Sequence, residues 1–287
     1  MRQKYVQCLS PAGFHRMAYV EWGDPANPRV LVCVHGLTRC GRDFDTLAQA
    51  LANRYRVVCP DVVGRGMSDW LRDPQLYAIS QYTLDMTALL ARLDVETVDW
   101  LGTSMGGMIG MALAAQPHPL LGPIRRLILN DVGPVLAASA LKRIGEYLAT
   151  PPTFASLDEA ERHIRTVAAP FGQLSDAQWR HLTENVVKSG TDGRLILRYD
   201  PDIAAPFAAA AAAQGEGKDI ELWPLYDAIR CPTLVIRGEH SDLLSRETVM
   251  AMTARGPRAA SAEIPGVGHA PMFMHDAQIA VVRDFLG

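Results

Sequence analysis

Ser104 lies in "VDWLGTSMGG", residues 98–107, with a glycine two places before it, another two places after, and a third next to that. A serine hydroxyl is a weak nucleophile at neutral pH. It becomes effective on a sharp strand-to-helix turn, where a base can take its proton. Such a turn needs small neighbours, because its backbone is strained and passes close to adjacent segments. Residues 98–101 have strand composition and "GMIGMALAAQ" has helical composition. Ser104 is therefore expected at a helix N-terminus, where N–H groups favour negative charge. The chemistry indicated is acyl transfer through a serine.

That serine needs a base, and the base needs an orienting acid. Of eight histidines, His269 in "PGVGHAP" ends the last strand signal on the same sheet edge as Ser104. Reacting groups in parallel sheets collect beyond the carboxyl ends of the strands. His240 also follows a strand and is the second candidate base. His118, His163, His181 and His275 fall in helical or linker sequence and read as solvent-facing; His15 falls in an early hairpin. After the strand in "VIRGEHSDLLS" come Glu239 and Asp242. Asp242 has enough chain before it to reach toward His269, and is preferred as the acid over Asp131 in "LILNDVGP".

A tetrahedral intermediate also needs donors for its oxyanion. The backbone N–H groups of Met105 and of Leu37 in "HGLTRCG" are the candidates, with His35 reading as a structural residue that holds its loop. Arg39 and Arg42 follow in the loop expected at the mouth of the site. Arg39 is read as a holder of a substrate carboxylate, since arginine presents a planar charged fork matched to two oxygens. The plainer alternative is a solvated turn, with Arg42 paired to Asp43 or Asp45. Met105, Met272 and Phe273 are either pocket lining or core packing.

These residues have to be positioned by a scaffold. "RMAYVEWG", "RVLVCVHG", "YRVVCPDV", "VETVDWLG" and "IRRLILNDVGP" read as strands, with helical spacing in "DFDTLAQALAN" and in "SQYTLDMTALLARLD", the latter opened by a serine cap. Continuous apolar strands alternating with helices predict a parallel sheet covered on both faces. From 135 to about 225 the rhythm changes to amphipathic helices opened by serines, an ambiguous "GRLILRYD", and an alanine-rich run at "AAPFAAAAAAQGEG". It then returns with "CPTLVIRGE", "RETVMAMTAR", "SAEIPGVGH" and "DAQIAVVRDFL". A helical insertion thus interrupts one α/β domain: core 1–134, insertion 135–225, core 226–287.

Composition narrows the partners. With 287 residues, a net charge of −3, and 21% charged residues, the chain has no basic footprint for nucleic acid or anionic membranes. Five scattered cysteines suit neither a disulfide framework nor a zinc site, and no signal peptide or membrane span is legible. A cytoplasmic protein with no metal or cofactor, monomeric or homodimeric, is the expectation.

"VCVHGLTRCGRDF", "PDVVGRGMSDW", "GTSMGG", "RGEHSD" and "GVGHAPMF" occur in the order found in the α/β-hydrolase superfamily. The chain resembles its cap-bearing branch over nearly the whole length. The resemblance implies an α/β-hydrolase fold: a mostly parallel eight-stranded sheet flanked by helices, with a helical cap inserted after the sixth strand. The turn from Asp61 to Ser68 is then structural. The activity implied is carboxylic ester hydrolysis of small molecules through Ser104, His269 and Asp242. A carboxylate held by the loop arginines would favour esters with a free acid at one end, such as short hydroxyacid oligoesters. Carbon–carbon bond hydrolysis, cofactor-free dioxygenation and ligand reception are the alternatives. Serine at 104, where dehalogenases and epoxide hydrolases carry aspartate, argues against those two chemistries.

Overall fold

The computed structural model describes residues 1–116, 123–206 and 218–287. His118 and residues 207–217 of the alanine-rich run lie outside the described residues. Eight strands form the main sheet: β1 (Arg2–Ser10), β2 (Gly13–Trp22), β3 (Val30–Val34), β4 (Arg56–Pro60), β5 (Val98–Thr103), β6 (Ile124–Asn130), and two later ones, Thr233–Gly238 and Ala260–Ile264. The strands lie in the order β1-β2-β4-β3-β5-β6, followed by the two late strands. β1 and β2 pair antiparallel with each other, and β2 pairs antiparallel with β4. From β4 across to the last strand every pairing is parallel.

The unbroken apolar runs follow from having both sheet faces covered. Along β3, Val30, Val32 and Val34 enter one apolar cluster while Leu31 and Cys33 enter the other. β4 and β5 divide the same way, Val58 and Trp100 on one side, Val57, Cys59 and Leu101 on the other. Only β1 alternates exposed with buried residues through its second half, as an edge strand with one wet face does. The sequence reading missed it. Its hairpin with β2 is pinned to helix α2 (Ile79–Leu93; α1 is Asp45–Leu51) where buried His15 meets the Asp85 carboxylate at 2.9 Å. The expected serine cap of α2 is absent: Ala78 occupies the N-cap without a side-chain bond, and the serine lies inside the helix.

Helix α3 (Met105–Ala114) leaves β5 directly and packs on β5 and β6. Between β6 and Thr233 lie α4 (Ala138–Ala149), α5 (Leu157–Val167) and α6 (Asp176–Val186). Ser156 caps α5 by accepting from the Glu159 N–H, and Ser175 forms a reciprocal capping box with Gln178. This stretch also holds short strands, of which only the one within "GRLILRYD" is among the readings the sequence offers. β7 (Val135–Leu136) pairs with β11 (Ile220–Glu221), and β10 (Leu195–Leu197) lies between β8 (Thr153–Phe154) and β9 (Val187–Ser189). At two or three residues each, they are too short for a period-2 pattern to register. "GRLILRYD" resolves as β10 followed by the Arg65–Tyr199 bridge to the core.

The contact between β5, α3 and β3 is the tightest constraint on the site. A Cβ placed on Gly102 would sit 2.2 Å from the Gly106 backbone, and one on Gly106 would sit 2.1 Å from the Val34 carbonyl oxygen. Both neighbours are backbone and cannot swing aside. Gly106→Ala is therefore expected to destabilise the fold by about 2 kcal/mol or more, read as a lowered denaturant midpoint. Wild-type stability in that variant would contradict the close approach.

Candidate active site

Ser104 occupies the N-cap of α3 with φ 52° and ψ −114°, a conformation that costs a side-chain-bearing residue of order 1–3 kcal/mol. The surroundings hold it there. Its N–H donates to the Asn130 carbonyl of β6 at 3.0 Å, and its own carbonyl accepts from Gly107 and Met108 at 2.9 and 3.1 Å. Ser104 and His269 both line a cavity of about 320 Å³.

The structure brings a different carboxylate to His269 from the one expected. His269 Nδ1 lies 2.7 Å from Asp131 Oδ2, not beside Asp242. Asp131 directly follows β6, has φ 55°, and is fully buried. Its carboxylate also accepts from the Gly238 N–H at 2.8 Å and from the Ser241 hydroxyl at 2.6 Å. A buried carboxylate needs such a set of donors to stay charged. Ser241 Oγ in turn accepts from the N–H groups of Leu243 and Leu244 at 3.3 and 3.0 Å. Asp242, the next residue, also lines the cavity but is ion-paired with Arg143 of α4. The Arg143 hydrogen bond holds the Asp242 carboxyl below the usual carboxylate range, against the effect of burial. His240, the second candidate base, is 68% exposed beside Glu239.

His35 is buried and neutral. Its Nδ1 lies 2.6 Å from the Gly36 carbonyl, and its Nε2 accepts from the Val62 N–H at 2.9 Å. Burial depresses its pKa to about 3; the Gly36 carbonyl opposes this, and the Arg65 and Arg39 charges add to it. The bond ties the loop carrying Leu37 to the Asp61–Ser68 turn. Arg65 of that turn, fully buried, donates to the Leu37 carbonyl at 2.8 Å and reaches Met105 Sδ at 3.7 Å. One guanidinium thus braces both residues expected to supply oxyanion donors. Sequence reasoning passed over Arg65, and the only signal was an arginine between the two glycines of that turn. It also passed over Asn130, whose amide joins Thr103 Oγ1 to the Pro271 carbonyl at 2.9 Å each.

Leu37, Arg39, Met272 and Phe273 all line the cavity; the Met105 side chain packs in the adjoining core. Arg39 is committed elsewhere: it binds Asp43 through two bonds of 2.8 and 2.6 Å, with its guanidinium 5.6 Å from the Phe171 ring. Arg42 pairs with Asp45 at 2.7 Å.

A family model described as "Alpha/beta hydrolase family" matches residues 31–282. The chain belongs to the alpha/beta hydrolase family. A 3-hydroxybutyrate-oligomer hydrolase of Cupriavidus necator is 55% identical to this hydrolase, over 99% of this chain and 97% of its own length. Among solved structures, a hydrolase from Rickettsia typhi superposes with a TM-score of 0.91 at 32% identity, covering 100% of this chain and 99% of that one. An alpha/beta hydrolase from Novosphingobium aromaticivorans gives 0.84 at 36% identity, over 99% and 97% of the two chains.

Two outcomes are expected from this site. Asp131→Asn should lower kcat by orders of magnitude, since an amide cannot stabilise the imidazolium, while Asp242→Asn should cost far less; steady-state kinetics on a simple ester would show a reversed order if Asp242 were the acid. Stability should also depend on His35. In the unfolded chain it binds a proton below its ordinary value of 6.5, whereas the folded state resists protonation down to about 3. Stability is therefore lost as pH falls through that window, by at most about 1.4 kcal/mol per pH unit. Denaturant midpoints at pH 7, 6, 5 and 4 should fall less steeply in His35→Gln than in wild type, and parallel slopes would contradict the buried neutral imidazole.

Proposed function

We propose that the chain hydrolyses the ester bonds of short 3-hydroxybutyrate oligomers through Ser104, His269 and Asp131. The observation that carries the reading is the 55% identity to the Cupriavidus necator hydrolase across nearly the full length of both chains. The site supports it. His269 Nε2 takes the Ser104 proton as the hydroxyl attacks the ester carbonyl, and Asp131 holds the imidazole through Nδ1 and stabilises the imidazolium. The backbone N–H groups of Leu37 and Met105 receive the oxyanion; the latter belongs to the first turn of α3, whose N–H groups have no intrahelical acceptor. The protonated imidazole returns its proton to the leaving alcohol. Water, deprotonated by the same histidine, then releases the acyl group.

Residues 135–225 act as a cap in this reading. Ile144 and Tyr147 of α4, Ile164 of α5 and Phe171 contribute to the cavity wall opposite Ser104 and His269, which supports that role. The volume of about 320 Å³ lies at the small end of ligand pockets, and the mostly aliphatic and aromatic lining suits methyl-branched oligoesters. Five unpaired cysteines, four of them buried, favour a reducing compartment such as the cytoplasm.

The test is turnover of p-nitrophenyl esters of increasing chain length alongside 3-hydroxybutyrate dimer and trimer. The oligomers should be cleaved to monomer, with preference for short acyl groups among the p-nitrophenyl esters. Ser104→Ala should lower kcat by about a thousandfold or more on every substrate. Undiminished activity in that variant would exclude an acyl-enzyme on Ser104.

A further inference from the structure

Two arginines line the cavity that holds Ser104 and His269, and they differ in what their charges are doing. Arg39 is 13% exposed and spends both edges of its fork on Asp43, itself 7% exposed. Arg143, on α4, is 59% exposed and meets Asp242 through Nη1, while Asp242 is 49% exposed. No second bond of the Arg143 guanidinium is found among the described residues. The remaining cavity cation candidates are His35, buried and neutral, and His269, the base. Apart from these and the carboxylates of Asp43 and Asp242, the wall is mostly apolar.

Asp242 itself is left without a catalytic task once Asp131 holds His269. It stands at the wall of the cavity as a solvent-accessible carboxylate on a guanidinium that has donors to spare. Exposed pairs of this kind contribute little to stability, so a second carboxylate can share or take over the guanidinium at small cost. Arginine suits that exchange because its fork can present a fresh edge to two oxygens.

We infer that Arg143 is the anchor for the free carboxylate of an oligoester substrate, with Asp242 holding the guanidinium over the cavity until that carboxylate arrives. The inference rests on the ester-hydrolase reading and names the substrate class within it: linear hydroxyacid oligoesters with an ionised terminus. An anchor on α4 also places recognition of charge on the inserted segment and leaves the bond-breaking groups on the sheet.

The experiment compares 3-hydroxybutyrate dimer with the same dimer bearing a terminal carboxamide, following cleavage of the internal ester by chromatography. In wild type the acid should have the higher kcat/KM. Arg143→Ala should lower kcat/KM on the acid at least tenfold more than on the amide, chiefly through KM, and Arg143→Lys should recover part of the difference. High salt should shrink the discrimination by wild type. p-Nitrophenyl butyrate turnover in each preparation reports that the variant is folded and its triad assembled. If wild type cleaves both dimers but Arg143→Ala loses equally on acid and amide, the anchor is overturned while the esterase reading stands. If Arg39→Ala, and not Arg143→Ala, removes the discrimination, the anchor is overturned in favour of the other arginine. If wild type cleaves p-nitrophenyl butyrate but neither dimer, the oligoester reading and the anchor fall together.

Discussion

The carboxylate of Asp131 sets the geometry of the site. A fully buried charge is tolerated only when its lone pairs are occupied. Here the occupants are the Gly238 N–H, the Ser241 hydroxyl and the His269 imidazole. The three donors come from the end of a strand, the loop after it, and the loop after the last strand. One carboxylate therefore fixes where β6, the Thr233–Gly238 strand and the histidine loop meet. Moving any of them leaves either an unsatisfied buried charge or a misdirected base.

On the other side of Ser104 the constraint is steric. The Gly102 and Gly106 contacts press α3 against β5 and β3, and the Trp100 indole N–H donates to the Gly106 carbonyl at 3.0 Å. The strained serine is thus held from below by backbone packing and from the side by Asn130, whose amide also joins Thr103 to the histidine loop. Rigid support of this sort keeps reacting groups in place without reorganisation during the reaction.

Most of this architecture was legible because its causes are local. Buried parallel strands demand continuous apolar runs, and a sharp strand-to-helix turn demands small residues around one serine, so β3 to β6, α3 and the meeting of Ser104 and His269 at one cavity could be read from composition and spacing. The carboxylate that meets His269 is Asp131 and not the preferred Asp242; two strand ends offered an aspartate. The difference between them depends on the pairing of Asp242 with Arg143, 99 residues away, and on a bond between residues 107 apart, Asp131 to Gly238. Neither leaves a pattern in a window of sequence. The pairing of Arg39 was out of reach for a related reason: its fork closes on Asp43 four residues ahead, a contact that depends on the short 3₁₀ turn at Gly41–Phe44. The short strands of the inserted segment went unseen, or at "GRLILRYD" stayed undecided between strand and helix, because two or three residues carry no period.

The order of strands in the sheet has a consequence for the birth of the enzyme. β1 to β6 are contiguous in the sheet, and the two late strands are added at one edge. Synthesis from the N-terminus therefore delivers a continuous six-stranded block, complete with Ser104 and Asp131, before the ribosome has made the histidine loop. In that interval Ser104 is without His269, and Asp131 lacks all three of its donors. Under the proposed assignment, reactivity waits for the stretch from Gly238 to His269 to emerge, and the exposed edge of β6 waits for the strand that precedes it. A nascent chain of this design is chemically silent but sticky along that edge, so its exposure to misassembly is set by how fast the final strands arrive.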